Sequence, residues 1–78
     1  MDEILEIAKT IEYNAKAEAQ AVLDYTELLK QINDSNIENV DKKFLIENIE
    51  EIITDELNHQ KKLEMAYTML TKIKANKN

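Results

Sequence analysis

The chain has 78 residues, 44% of them hydrophobic and 33% charged, with a formal net charge of −6 and no Gly, Pro or Cys. That length permits one small domain. The missing Gly and Pro exclude phosphate-cradling glycine loops and argue against a turn-rich β fold, and the missing Cys excludes disulfides, thiolate metal sites and thiol nucleophiles. The acidic balance disfavours nucleic acid and anionic membranes as partners and favours cations. Apolar runs are too short to span a bilayer, and the start Met1-Asp2-Glu3 is acidic where a signal peptide is basic, so a cytoplasmic location is expected.

Two long segments carry helical periodicity. The first is expected from about residue 2 to 32, the second from about 39 to 75, with a loop over about 33–38. Asn33-Asp34-Ser35-Asn36 is the only cluster of turn and cap residues. Ser35-Asn36-Ile37-Glu38 has the form of a capping box, and Asn39 and Asp41 are alternative starts for the second helix. Lys72, Lys74 and Lys77 suit a helix C-terminus, where cations meet the negative end of the dipole. The expected fold is all-α: an antiparallel two-helix hairpin. A lone hairpin shares one seam and hides little, so homodimerisation into a four-helix bundle is expected, with no stable monomer.

The seam follows from spacings of four and three. In the first helix it reads Ile4, Ala8, Ile11, Ala15, Glu18, Val22, Tyr25, Leu29 and Ile32. In the second it reads Leu45, Ile49, Ile52, Glu56, His59, Leu63, Ala66, Leu70 and Ile73, widened by Ile53, Leu57 and Tyr67. Each stripe is apolar except at its middle. A turn centred near residues 37 and 38 brings Glu18 level with Leu57, so Glu18, Glu56 and His59 meet at one level. Glu56 and His59, at i and i+3, share a helical face.

Uncompensated buried carboxylates cost several kcal/mol each. Two twofold-related hairpins gather four glutamates and two histidines, and two divalent cations balance that charge. A Glu from each of two helices and Glu-x-x-His from each of the other two is a di-metal pattern of four-helix bundles. Oxygen-rich ligation with one imidazole per metal suits iron or manganese better than structural zinc.

Asp55-Glu56-Leu57-Asn58-His59-Gln60-Lys61-Lys62-Leu63 and Glu18-Ala19-Gln20-Ala21-Val22-Leu23-Asp24-Tyr25 resemble the ligand helices of the ferritin-like di-iron superfamily, the first as in rubrerythrin-like proteins. Full-length members carry two such pairs; this chain carries one over nearly its whole length, and so is most similar to the half-length encapsulated ferritins. The resemblance implies metal ligands Glu18, Glu56 and His59 at a subunit interface, with one glutamate per chain bridging two irons. It also implies oxidation of Fe(II) by oxygen. Two features depart from those relatives: a longer connection between the ligand helices, and a Lys-Ala-Asn-Lys-Asn ending in place of an apolar targeting tail. Packaging in an encapsulin shell is therefore not expected.

Each residue also has a plainer reading. Glu18, Glu56 and His59 form, on the rival reading, a polar layer that fixes the partner of a non-enzymatic interaction module. A structural manganese or zinc site is a further alternative. Tyr25 is placed either to reach a ligand carboxylate through water or simply to pack in the seam. Asp24 and Asp55, able in principle to orient His59, read better as solvated flank charges. Glu12, Glu50, Glu51 and Glu64 read as solvent-face residues, and Tyr13, Met65 and Met69 as packing or flank residues. Ala15, Ala17, Ala19 and Ala21 around Glu18 give either close helix approach or helix propensity alone.

Overall fold

A computed structural model describes residues 2–76. Helix α1 covers Glu3–Asn33 and helix α2 covers Asn39–Asn76. They pack antiparallel as a rod of 60 × 16 × 11 Å. At 1.5 Å rise per residue the 38 residues of α2 span about 57 Å, so α2 sets the length of the molecule. Among the described residues no helix is long and apolar enough to cross a membrane.

Local chemistry explains the ends of α1. The Asp2 carboxylate accepts hydrogen bonds from the backbone N–H of Ile4 at 3.0 Å and of Leu5 at 3.3 Å, an N-cap that satisfies two otherwise unpaired donors. Glu3 and Glu6 add negative charge at the positive end of the dipole, and Lys30 adds positive charge at the other. No residue takes positive φ at the helix end, in keeping with a glycine-free chain. Asp34 stays right-handed, and its N–H donates to the Lys30 carbonyl at 3.0 Å.

Ser35 is used differently from the capping box. Its hydroxyl donates to the Ile32 carbonyl at 2.6 Å and accepts from the Ile37 N–H at 3.3 Å. It therefore closes α1, and α2 starts at Asn39, with the Glu38 carbonyl accepting from the Lys42 N–H at 2.8 Å. Lys42 also reaches back across the turn to the Asn33 carbonyl at 2.9 Å. One lysine thus ties the start of α2 to the end of α1.

All nine α1 seam positions from Ile4 to Ile32 are buried or half-buried. In α2, Leu45, Ile49, Ile52, Glu56, Leu63, Ala66 and Leu70 are half-buried, whereas His59 and Ile73 sit at the exposed edge. Ile53 widens the seam as expected; Leu57 and Tyr67 are exposed, and Ile46 and Gln60 take half-buried positions instead. The register pairs Asp2 with Lys74 and Glu18 with His59, which centres the turn near residue 38.

The packing is thin. Among the described residues only Ala8 and Ile32 are buried, and twelve large apolar side chains are exposed. A folded monomer of 9.1 kDa exposes about 4,900 Å² by size scaling, whereas this chain exposes 6272 Å².

The open end of the hairpin is held by an ion pair between Lys74 and Asp2, the same carboxylate that caps α1. The Lys74 hydrogen bond, the N–H of Leu5 and the cation's charge hold the Asp2 pKa below its ordinary value. A lowered carboxylate pKa adds stability that is present above the unfolded pKa and is lost as pH falls through the folded one. Lys72 and Lys74 lie in the last turns of α2, as the sequence suggested; Lys77 lies outside the described residues. Asp2→Ala is expected to speed amide hydrogen exchange in the first turn of α1 and the last turn of α2 at neutral pH. The difference from the wild type should fade as pH drops through the lowered Asp2 titration, and a difference independent of pH would overturn the ionic clasp.

Candidate metal centre

The middle of the seam is where the periodicity places charge. Glu18 projects from the centre of α1; Glu56 and His59, one turn apart, project from α2. Each offers one ligand atom, and the three atoms lie within 4.8 Å of one another. The expected trio is therefore assembled within one chain. Glu18 and Glu56 are half-buried, and His59 is at the rim, with its side chain 54% exposed against 28% for Glu18.

His59 Nδ1 lies 3.7 Å from Glu18 Oε2, too long for a hydrogen bond. Glu18 Oε2 is nevertheless shielded from solvent and has no hydrogen-bond partner. A shielded acceptor without a donor costs about 1–3 kcal/mol, and more when charged. Two carboxylates and an imidazole converging on such an oxygen form the donor set of a hard or borderline divalent cation such as Fe(II), Mn(II) or Zn(II). The residues present fit such an ion by their chemistry and by this orphaned oxygen.

The surroundings are partly apolar and partly basic. Asn14, Lys62 and Leu63 line a shallow hollow together with Glu18 and His59. Asn14 donates its amide to the Thr10 carbonyl at 3.0 Å on its own helix. Lys62 is exposed beside the hollow and makes no ion pair within the described residues. Of the four alanines near Glu18, Ala15 and Ala21 face the seam and thin it there, while Ala17 and Ala19 are exposed and serve helix propensity.

The other candidates resolve toward their plainer readings. Tyr25 is half-buried, about two turns from Glu18, and no hydrogen bond joins it to the trio. Asp24 accepts from the Gln20 amide at 3.0 Å on the exposed face of α1. Asp55 is exposed and has no ion-pair partner among the described residues, so neither aspartate orients His59 within the chain. Glu12 pairs with Lys16 at 3.7 Å, and Glu50, Glu51 and Glu64 face solvent. Tyr13, Met65 and Met69 are exposed.

Sequence reasoning overlooked Asn14, Gln60 and Lys62 near the trio. The sevenfold spacing Ile46, Ile53, Gln60 was the available signal for Gln60, since the first two are apolar and half-buried. Compared with models of known families, with curated proteins and with solved structures, the chain matches none.

The orphaned oxygen sets a stability test. Glu18→Leu is expected to stabilise the metal-free protein by about 1–3 kcal/mol, read by urea unfolding in a chelator at matched chain concentration. An unchanged or lower midpoint would show that Glu18 has a partner in solution.

Proposed function

We propose that the chain is a metal-binding helical hairpin whose second copy completes a di-metal carboxylate centre within a homodimeric four-helix bundle, and that it acts on Fe(II) as a ferroxidase-type oxidoreductase. The observation that carries the reading is the shielded, unpartnered Glu18 oxygen at the convergence of Glu56 and His59. A cation is the partner that this oxygen lacks, and the acidic chain attracts one.

In this reading Glu18 and Glu56 hold the charge of the ion and His59 supplies the nitrogen donor. Fe(II) is the substrate, and bound iron supplies one-electron transfer to oxygen. The apolar residues flanking the trio along the seam, Ala15 and Leu63 among them, lower the local polarity and strengthen each carboxylate–cation contact. The exposed edge of His59 leaves one side of the site open to solvent within a single chain, and a second hairpin laid on that side closes it. Two hairpins contribute four carboxylates, balanced by two divalent ions. Manganese and zinc fit the same donors without redox turnover, and oxygen uptake on addition of Fe(II) separates those cases.

The test is an anaerobic Fe(II) titration by calorimetry. About one ion per chain is expected, with affinity lowered by at least about tenfold in His59→Leu, since even outer partners of a ligand are worth about 10–100-fold. The triple variant Glu18→Leu, Glu56→Leu, His59→Leu is expected to bind no metal. Affinity should also fall as pH drops, because protons compete for the carboxylates and the imidazole. A helical wild-type protein that takes up no ion would turn the trio into a polar layer specifying a partner helix.

A further inference from the structure

A long exposed surface with large apolar residues runs along the outer side of α2. Phe44, Asn48, Glu51, Asp55, Asn58, Lys62, Met65 and Met69 follow spacings of four and three, so they form one stripe, and every one of them is exposed. Phe44 is 67% exposed, Met65 65% and Met69 59%. The stripe is apolar at both ends and charged in the middle. Its charges are not random: Glu51 and Asp55 lie on the N-terminal side of the centre, and Lys62 lies on the C-terminal side. None of the three pairs with another residue of the chain among the described ion pairs.

From this we infer that the outer face of α2 is the docking surface for the α2 of a second copy, laid antiparallel about a twofold axis between residues 56 and 57. This deepens the proposed function, since it names the face through which the second hairpin arrives. Antiparallel pairing sets Lys62 of each copy against the Glu51–Asp55 segment of the other, and sets the Phe44 end of each against the Met65–Met69 end of the other. Thioether–aromatic contact and apolar burial then flank two symmetric clusters of opposite charge. Parallel pairing sets like charge against like and is disfavoured. Lys62 also borders the hollow that holds Glu18 and His59, so a copy seated on this stripe lies beside the open edge of the metal centre.

The area agrees. The surplus of exposed surface over a folded monomer of this mass is about 1,400 Å², against about 800 Å² hidden per partner in an interface of standard size. The stripe Lys9, Tyr13, Lys16, Gln20, Leu23 and Glu27 on the outer side of α1 is also exposed, but its two large apolar residues lie within the stripe and not at its ends.

Charge exchange tests the pairing. One variant carries Glu51→Lys and Asp55→Lys; the other carries Lys62→Glu. By sedimentation velocity, in chelator and again with one equivalent of Mn(II), the wild type is expected to dimerise. Each variant alone is expected to show at least about a tenfold higher dissociation constant, because like charges now face each other. Mixed one to one, the two variants are expected to form a heterodimer with affinity near that of the wild type, since both clusters are again of opposite charge. This rescue also covers a variant that loses helix on its own, because mixing then restores the helical circular dichroism. A monomeric wild type in both conditions, variants that self-associate like the wild type, or a mixture that fails to associate each overturn the inference. Selective pairing in a protein that takes up no Fe(II) leaves this inference standing while the metal reading falls.

Discussion

A single line of contact between two helices is the constraint on which the rest of the structure depends. Each helix of a hairpin has one neighbour, so the opposite side of each must face outward whatever the sequence. With apolar residues at all but the middle seam positions, only Ala8 and Ile32 are buried among the described residues. The chain therefore cannot follow the usual route of a small domain, in which a closed core offsets the conformational entropy of ordering about 70 residues. It relies on long continuous helices and on ties at the two ends. Asp2 with Lys74 closes one end, and Ser35 with Lys42 closes the other.

Between the polar ties at its two ends, the described seam is apolar except at its middle. Leucines at Glu18 and Glu56 would extend the hydrophobic stripe and remove the orphaned oxygen, so the seam forgoes stability where its carboxylates sit. The position explains why the trio forms so readily. Alanines at 15 and 21 thin the seam at that level. Side chains placed there inherit rigidity from the 38 residues of α2, which extend about equally to both sides, whereas a set near either end would inherit fraying.

Much of this was legible in the sequence because helical periodicity is a strong signal in long segments without Gly or Pro. The α1 stripe from Ile4 to Ile32 was read position by position, and the trio followed from the register of the turn. The α2 stripe was harder, because two phases compete there. Stepping by four and three reaches His59 and Ile73, while the sevenfold series through Ile46 and Ile53 reaches Gln60; the packed seam lies between the two, leaving His59 at the rim. Ser35 satisfied the pattern of a helix start, yet its hydroxyl finds the Ile32 carbonyl first, since a glycine-free C-terminus needs closure from a side chain. The Lys74–Asp2 clasp joins residues 72 positions apart, and no local pattern announces such a pair.

The rim position of His59 ties the Glu18–Glu56–His59 trio to the surface beside it. An imidazole sunk in the hairpin seam would make a site complete in one chain and indifferent to association. At the edge, it presents one side to whatever covers the hollow bordered by Lys62. On the proposed reading, a second copy that covers that side would change the surroundings of a bound ion, and the ion would change the charge that the second copy meets. Linkage makes the two effects equal: the factor by which metal tightens the dimer is the factor by which dimerisation tightens the metal. On the proposed reading, the same geometry that leaves a two-helix chain short of a core would give its association a chemical handle, because an ion held by the carboxylates that weaken the seam would lie beside the face on which a second copy docks.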